Sequence, residues 1–486
     1  MLFNSYVFIL LFLPLTVMGY FFLNSRHPGT ASHIYLLIAS LVFYGYFNVL
    51  YLPLILFSIV FNYATYLLLR RDYVKSIRLF IVISAVVVNL GMLGYYKYRD
   101  FFFENINVVF GTNFALHHLI LPLGISFFTF QQLSYVIDCY HGKVPAYTFV
   151  EYAIFVSYFP PLIAGPIVLH DELIPQFQDP EKRRINFDNF APGLMAFAFG
   201  LAKKVLIADT FGKAVDWSYA NVGALNSTDA LLIIFAYTMQ IYFDFSGYCD
   251  MANGIAKMMN ITLPANFNSP YKALTIADFW KRWHMTLTRF FSNYVYIPLG
   301  GNRKGAAKTY RNMMVVFLVS GLWHGANWTF LFWGALHGIA TVLCRALKNR
   351  LQRIPALINW LATFLFVNIT WVFFRANSIS DAFAVLRKAA QADFGMVNAN
   401  IYDKFALYEF ANILRIFNIN WEAKFPLVFL AVFCGFALVA VTAMKNTTER
   451  MESFRPQILT GVSTTVLFLW GLLSLAGESS FLYFNF

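Results

Sequence analysis

The sequence predicts an all-α, polytopic membrane protein, and three observations carry that prediction. Hydrophobic residues fill 59% of the 486 positions and charged residues only 12%, with a mean hydropathy of +0.59. Soluble domains carry about 25% charged residues. The charges of this chain also cluster between apolar runs of the length, about 20 residues, that a helix needs to cross hydrocarbon. A length that would otherwise suggest roughly three soluble domains is better explained by lipid as the solvent.

The candidate spans lie near 5–23, 33–49, 51–69, 79–95, 116–138, 190–208, 229–248, 357–374, 425–443 and 458–476. The first reads as a span and not as a signal peptide, because no basic region precedes it and no small-residue cleavage site follows. Segment 152–169 is apolar but holds Pro160, Pro161, Gly165 and Pro166, which interrupt any helix. Broken backbone at membrane depth is tolerated only where protein or a wet cavity satisfies it, so a re-entrant element is expected there. Segment 312–344 has 33 residues, about 50 Å if wholly helical. That is too long for one upright span, and Lys308, Arg311, Arg345, Lys348 and Arg350 flank it. A bent or doubly re-entrant hairpin is expected.

Lysine and arginine set the orientation, since cytoplasmic loops carry their excess. The loop with Arg70, Arg71, Lys75 and Arg78 is placed inside, as are 303–311 and 345–353. Counting back puts the N-terminus outside. Counting forward leaves 375–424 outside as a loop with amphipathic segments, Lys445 to Arg455 inside, and the tail 477–486 outside. The expectation is one transmembrane domain over 1–476 and an extracytoplasmic aromatic tail. The net charge of +12, from 36 basic and 24 acidic residues, is then the positive-inside bias, with membrane lipids and not nucleic acid as the partner. Cys139, Cys249, Cys344 and Cys434 stand far apart, which suggests neither a disulfide framework nor a metal site.

Three of the nine histidines lie in stretches that chemistry could use. His324 sits within Ser320-Gly321-Leu322-Trp323-His324-Gly325-Ala326, inside an apolar run. Ionisable side chains there usually face an interior or a cavity, and Gly321 and Gly325 permit close backbone approach. His337 has similar surroundings and no second feature, and is read as structural. His284 ends Asp278-Phe279-Trp280-Lys281-Arg282-Trp283-His284, whose alternation suggests an interfacial helix with tryptophans at headgroup level. The basic turn Gly300-Gly301-Asn302-Arg303-Lys304-Gly305 follows, suited to lipid headgroups or to the phosphates of an acyl donor. Lys203, Lys204, Asp244 and Asp250 border apolar spans and are expected to pair within the bundle.

Together these residues carry a resemblance. Trp283-His284-Met285-Thr286-Leu287-Thr288 with the run Tyr294 to Gly305 resembles the signature of the membrane-bound O-acyltransferase family, in its bacterial branch typified by the membrane subunit of alginate O-acetyltransferase. Stretches 159–167, 240–248 and 320–326 support it, and the likeness is strong over roughly 120–345 and at the C-terminus. Where the family usually reads Trp-Phe-Arg-Asp-Tyr, this chain has Phe290-Phe291-Ser292-Asn293-Tyr294, so a charge contact made by that Arg-Asp pair is not expected here.

The resemblance implies broken or re-entrant helices around a central cavity in a bacterial cytoplasmic membrane. It implies His324 as the catalytic base and His284 as its partner, with acetyl-CoA or another acyl thioester as donor and no bound cofactor. Lys281, Arg282, Arg303 and Lys304 are the donor-binding candidates. An imidazole with an ordinary pKa of about 6.5 is mostly neutral near pH 7 and can take a hydroxyl proton. The tail Phe481-Leu482-Tyr483-Phe484-Asn485-Phe486 resembles the Phe-x-Tyr-x-x-Phe ending of the small acyl-relay protein of D-alanyl-transfer relatives, which implies that Tyr483 receives the acyl group. An extracytoplasmic esterase-like acetyltransferase is the implied partner, with an acyl-carrier protein as an alternative donor. The expected function is acetyl transfer towards a cell-surface or exported polysaccharide. Peptidoglycan O-acetylation and D-alanyl transfer to teichoic acid are the alternatives within the class. A transporter without covalent chemistry is the alternative outside it; it would tolerate loss of His324 unless that side chain lined the path.

Overall fold

The computed structural model describes residues 1–26, 29–406, 412, 414–416, 418, 426–475 and 481–482. Every regular element among them is helical. Among the described residues seven helices are long and apolar enough to cross a membrane, namely Val7–Arg26, Val49–Leu69, Lys75–Phe110, Phe187–Ala220, Ser227–Met258, Trp328–Ala346 and Ala356–Arg375. Three shorter apolar helices are Thr30–Gly45, Pro426–Thr442 and Ile458–Leu473. The chain is thus an all-α polytopic membrane protein. It forms two compact units, one of Met1–Phe197 with Met251–Ala265, the other of Ala198–Asp250 with Asn266–Leu482.

The first unit is organised by a buried polar cluster. The Asn62 and Asn89 amides exchange reciprocal hydrogen bonds of 3.0 and 2.8 Å. Asn62 Nδ2 also donates to Gln132 Oε1 at 2.9 Å, and Tyr152 Oη donates to the same oxygen at 2.9 Å. Gln132 Nε2 donates to Ser58 Oγ at 2.6 Å. Four helices, Val49–Leu69, Lys75–Phe110, Ile125–Tyr140 and Phe149–Ser157, are therefore held in register by buried polar side chains. An apolar cluster of Phe3, Phe8, Phe12, Phe43 and Phe159 fills the same unit.

Segment 152–169 breaks as its prolines and glycine require. The helix Phe149–Ser157 starts at a Thr148–Glu151 capping box, stops at Tyr158 (ψ 114°) and gives way to one turn, Phe159–Leu162. Residues 152–168 are all buried, so protein groups and not lipid surround the irregular backbone. The expected span 116–138 is shorter than its hydropathy suggests. Its helix begins only at Ile125, because Gly124 before it is left-handed (φ 70°). Residues 111–122 are non-helical, and Asp100 accepts the His117 and His118 amides at 3.1 and 2.6 Å. Conversely, the spans placed at 79–95 and 190–208 extend to Phe110 and Ala220 through π-helical turns at Gly94–Tyr98 and Lys203–Ala208.

In the second unit the long segment 312–344 is a hairpin of two helices, Ala306–His324 and Trp328–Ala346. Asn327 turns it, capping the second helix through Thr329 N at 3.0 Å and donating to Asn377 O at 2.9 Å. The helices touch backbone to backbone. A Cβ at Gly321 would collide with the Phe330 carbonyl, and one at Gly334 with the Phe317 carbonyl. Small residues permit such approach where lipid supplies no hydrophobic drive between helices. Two ion pairs tie Phe187–Ala220 to Ser227–Met258: Lys203–Asp250 at 2.6 Å and Lys204–Asp244 at 2.8 Å. The four charges pair within the bundle, as expected.

Replacing Asn89 by leucine should cost about 1–2 kcal/mol, because it strands the Asn62 amide in an apolar setting. Thermal unfolding of the purified protein in detergent checks this as a midpoint lower by several degrees. An unchanged midpoint would mean that apolar packing serves this cluster as well as its hydrogen bonds do.

Candidate active site

The site is assembled in the second unit from two segments that the sequence separates by forty residues. The first begins as one helical turn, Ile276–Phe279, which Thr275 caps through Asp278 N at 3.1 Å. The chain then tightens through Lys281 and Arg282 and passes His284 in a left-handed conformation (φ 46°, ψ 51°) before the helix Met285–Phe291. A non-glycine residue held there is uncommon and costs backbone energy that the surroundings must offset. The expected interfacial helix is accordingly replaced by two short turns. Trp280 and Trp283 are buried, at 7% and 1% exposure, instead of lying at headgroup level. The physical reason is partnership: Trp280 Nε1 donates to His337 Nδ1 at 3.2 Å, and Trp283 stacks on Phe279. His337 Nε2 meets Thr370 Oγ1 at 3.0 Å, so this histidine is a structural pin, as its sequence setting implied.

His284 is fully buried, and Asn266 orients it. Asn266 Oδ1 accepts the Thr286 backbone N–H at 3.3 Å and its hydroxyl at 2.9 Å. The backbone N–H can only donate, so the atom facing it is the amide oxygen. That oxygen lies 3.1 Å from His284 Nδ1, which must therefore donate, leaving Nε2 as the basic nitrogen. Burial pushes the His284 imidazole down to about 3, so the ring stays neutral near pH 7. Asn266 completes its own bonding by donating Nδ2 to Cys249 Sγ at 3.5 Å.

His324 ends the first hairpin helix, immediately before the Gly325 turn, at 2% exposure. Its ring packs among Trp323 (4.9 Å), Trp333 (5.3 Å) and Phe374 (5.1 Å). The ring centroids of His284 and His324 are 6.5 Å apart, with Trp323 beside both and Phe245 4.8 Å from His284. The two histidines are thus neighbours in an aromatic enclosure. Such a pair can accept and return a proton without bulk water.

The four basic candidates do not converge. Lys281 opens onto a separate cavity with Arg345 and Lys348. Arg282 pairs with Asp278 at 3.0 Å. Arg303 and Lys304 are exposed on the glycine-rich turn. Tyr483 lies outside the described residues. The two residues before it are described, and they are docked. Leu482 N donates to Asp244 Oδ2 at 2.9 Å, while Phe481 is 1% exposed, edge-on to Tyr248 and 4.7 Å from Lys204 Nζ. Asn266 was not legible beforehand, since a lone asparagine has no periodicity or motif of its own, and neither was Asp244 as the acceptor for the tail. Among the described residues no group of three or more His, Cys, Asp or Glu gathers as a metal site.

The membrane-bound O-acyltransferase family profile matches residues 143–363, a range that includes both histidines. A peptidoglycan O-acetyltransferase of Helicobacter pylori is 40% identical over 100% of this chain and 98% of its own length. A probable alginate O-acetylase of Pseudomonas aeruginosa is 42% identical over 79% of this chain and 73% of its own. A teichoic acid D-alanyltransferase of Bacillus subtilis is 29% identical over 46% of this chain and 58% of its own. The chain belongs to the membrane-bound O-acyltransferase family and is a membrane acyltransferase.

Replacing Asn266 by alanine removes the acceptor that fixes the His284 tautomer. Acyl transfer should fall about 10-fold or more, the range for losing an orienting partner of a histidine, with the protein still inserted. Asn266→Asp keeps an acceptor and should retain more activity than the alanine variant. Equal losses in both would mean that Asn266 serves packing alone.

Proposed function

We propose that this protein moves acetyl groups from a cytoplasmic thioester across a bacterial cytoplasmic membrane, for O-acetylation of a cell-surface or exported polysaccharide. The observation that supports this reading best is the burial of His284 and His324 side by side in the same unit that docks Phe481 and Leu482, the residues preceding Tyr483. His324 acts as general base. It takes the Tyr483 phenol proton, the phenol oxygen attacks the thioester carbonyl, and the thiolate leaves with the proton that His324 returns. His284, held neutral, positions the reacting groups. A phenol with pKa about 10 is a poor nucleophile until a base assists it, yet a good leaving group for the next transfer. A carrier is needed because donor and glycan lie on opposite sides of hydrocarbon about 30 Å thick.

Lys281, Arg282, Arg303 and Lys304 attract the phosphates of coenzyme A or of a carrier's phosphopantetheine from the cytoplasmic side. An extracytoplasmic esterase-like partner takes the acetyl group from the tyrosine, and both termini face that side. Among possible acceptors, peptidoglycan is favoured by the relative that aligns with the whole chain; the alginate relative aligns with 79% of it. Base-labile acetate released from sacculi and from exopolysaccharide of a deletion strain separates the two.

With labelled acetyl-CoA, His324→Ala should insert normally while acetyl transfer falls by at least about 100-fold, the low end for loss of a general base. Near-normal transfer would remove His324 from the chemistry. In the same assay, intact-mass and peptide analysis should find an acetyl ester on Tyr483. Tyr483→Phe keeps the ring and removes the oxygen, so it should abolish both the ester and export. Export at the parent rate would make Tyr483 a membrane anchor only.

A further inference from the structure

A second site is suggested by a cavity of about 730 Å³ in the second unit, apart from the histidine enclosure. Its wall is built by the turn around Ile276–Phe279, the ends of the hairpin helices, and the start of the helix Ala356–Arg375. Three cations open onto it, Lys281, Arg345 and Lys348. One carboxylate does too, Asp278, but Arg282 engages it at 3.0 Å. Among the described residues none of the three cations forms an ion pair. All three are exposed, and like charges lining one cavity repel, so water or an anion must screen them.

The rest of the wall mixes apolar residues, Met313 and Leu351 among them, with the uncharged polar Thr275, Thr341, Gln352 and Asn359. Next in sequence to its lining, Leu343 and Leu357 on helices and Leu347 at the turn after Ala346 are 51%, 66% and 39% exposed, a surface suited to hydrocarbon. A phosphate among the cations and acyl chains along these faces satisfy both halves. A soluble nucleotide would leave the apolar half unused.

We propose that this cavity binds the phosphate of an anionic phospholipid through Lys281, Arg345 and Lys348, with its chains on the neighbouring apolar helix faces. Basic recesses between membrane helices bind anionic headgroups for this reason, each cation adding about fivefold to affinity. The site stands independently of the acyl-transfer reading and shares only Lys281 with it. A bound lipid here would brace the turn that leads into His284 and make activity depend on membrane composition.

Cys344 lines the cavity and reports its occupancy. The test uses the full-length protein in nanodiscs of phosphatidylcholine, with or without phosphatidylglycerol, and reads maleimide labelling by peptide mass spectrometry. Phosphatidylglycerol should slow labelling of Cys344 severalfold and leave Cys434, on the helix Pro426–Thr442, unaffected. The double variant Arg345→Gln/Lys348→Gln should lose that protection. It should also retain less phosphatidylglycerol when lipid carried through purification is extracted and counted. Protection by coenzyme A in phosphatidylcholine discs, without protection by phosphatidylglycerol, would overturn the lipid assignment and give the cavity to a soluble phosphate. Equal labelling under all conditions, with equal lipid retained by parent and variant, would overturn the site altogether.

Discussion

The ion pair of Lys204 with Asp244 states the constraint on which the rest of this protein depends. Both side chains are 2% exposed and 2.8 Å apart, and Asp209 stands a further 2.8 Å from the same ammonium. Charge removed from water is costly unless it is met by opposite charge and by hydrogen bonds that use the remaining lone pairs. Asp244 spends its second oxygen on the backbone of Leu482. The requirement that folds the bundle thereby also fixes where the last described residues run. Deleting Lys204 would leave Asp244 uncompensated, whereas deleting Asp244 would leave Lys204 to Asp209 and free the Leu482 amide, so the docking of the tail and the packing of two long helices are coupled.

The same rule operates without charge elsewhere. In the first unit, amides of Asn62, Asn89 and Gln132 satisfy one another. In the second, Asn266 gathers three donors on one oxygen and so sets the proton position on His284. The difference lies in what remains. The amide cluster closes on itself and is structural. The His284 arrangement places its basic ring nitrogen on the ring that neighbours a second imidazole, among aromatic side chains.

Glycine explains how His324 reaches that place. A helix ends there because the chain must turn, and the turn is tight because Gly321 and Gly334 bring two helix backbones into contact. Larger residues would separate the helices and carry His324 away from the Trp333 and Phe374 rings that enclose it. The close crossing is a backbone property, whereas the enclosure is a side-chain one, and each depends on the other.

By itself the sequence determined the solvent, the helical class and the family resemblance, because hydropathy, lysine and arginine placement and ordered motifs are local properties of the chain. It also marked the broken segment at Pro160 and Pro161, the hairpin at 312–344, and two histidines that the fold places side by side. Tertiary structure decided the rest. Trp280 and Trp283 read as interfacial anchors, since tryptophan favours both headgroups and cores, and only the partners supplied by His337 and Phe279 settled the matter. The helix expected from residue 116 starts at Ile125, because a left-handed Gly124 outweighs the hydropathy of the run before it. Asn266 beside His284, and Asp244 beneath Leu482, are contacts between residues distant in sequence. Such contacts follow from how helices pack, and no window of a linear sequence contains them.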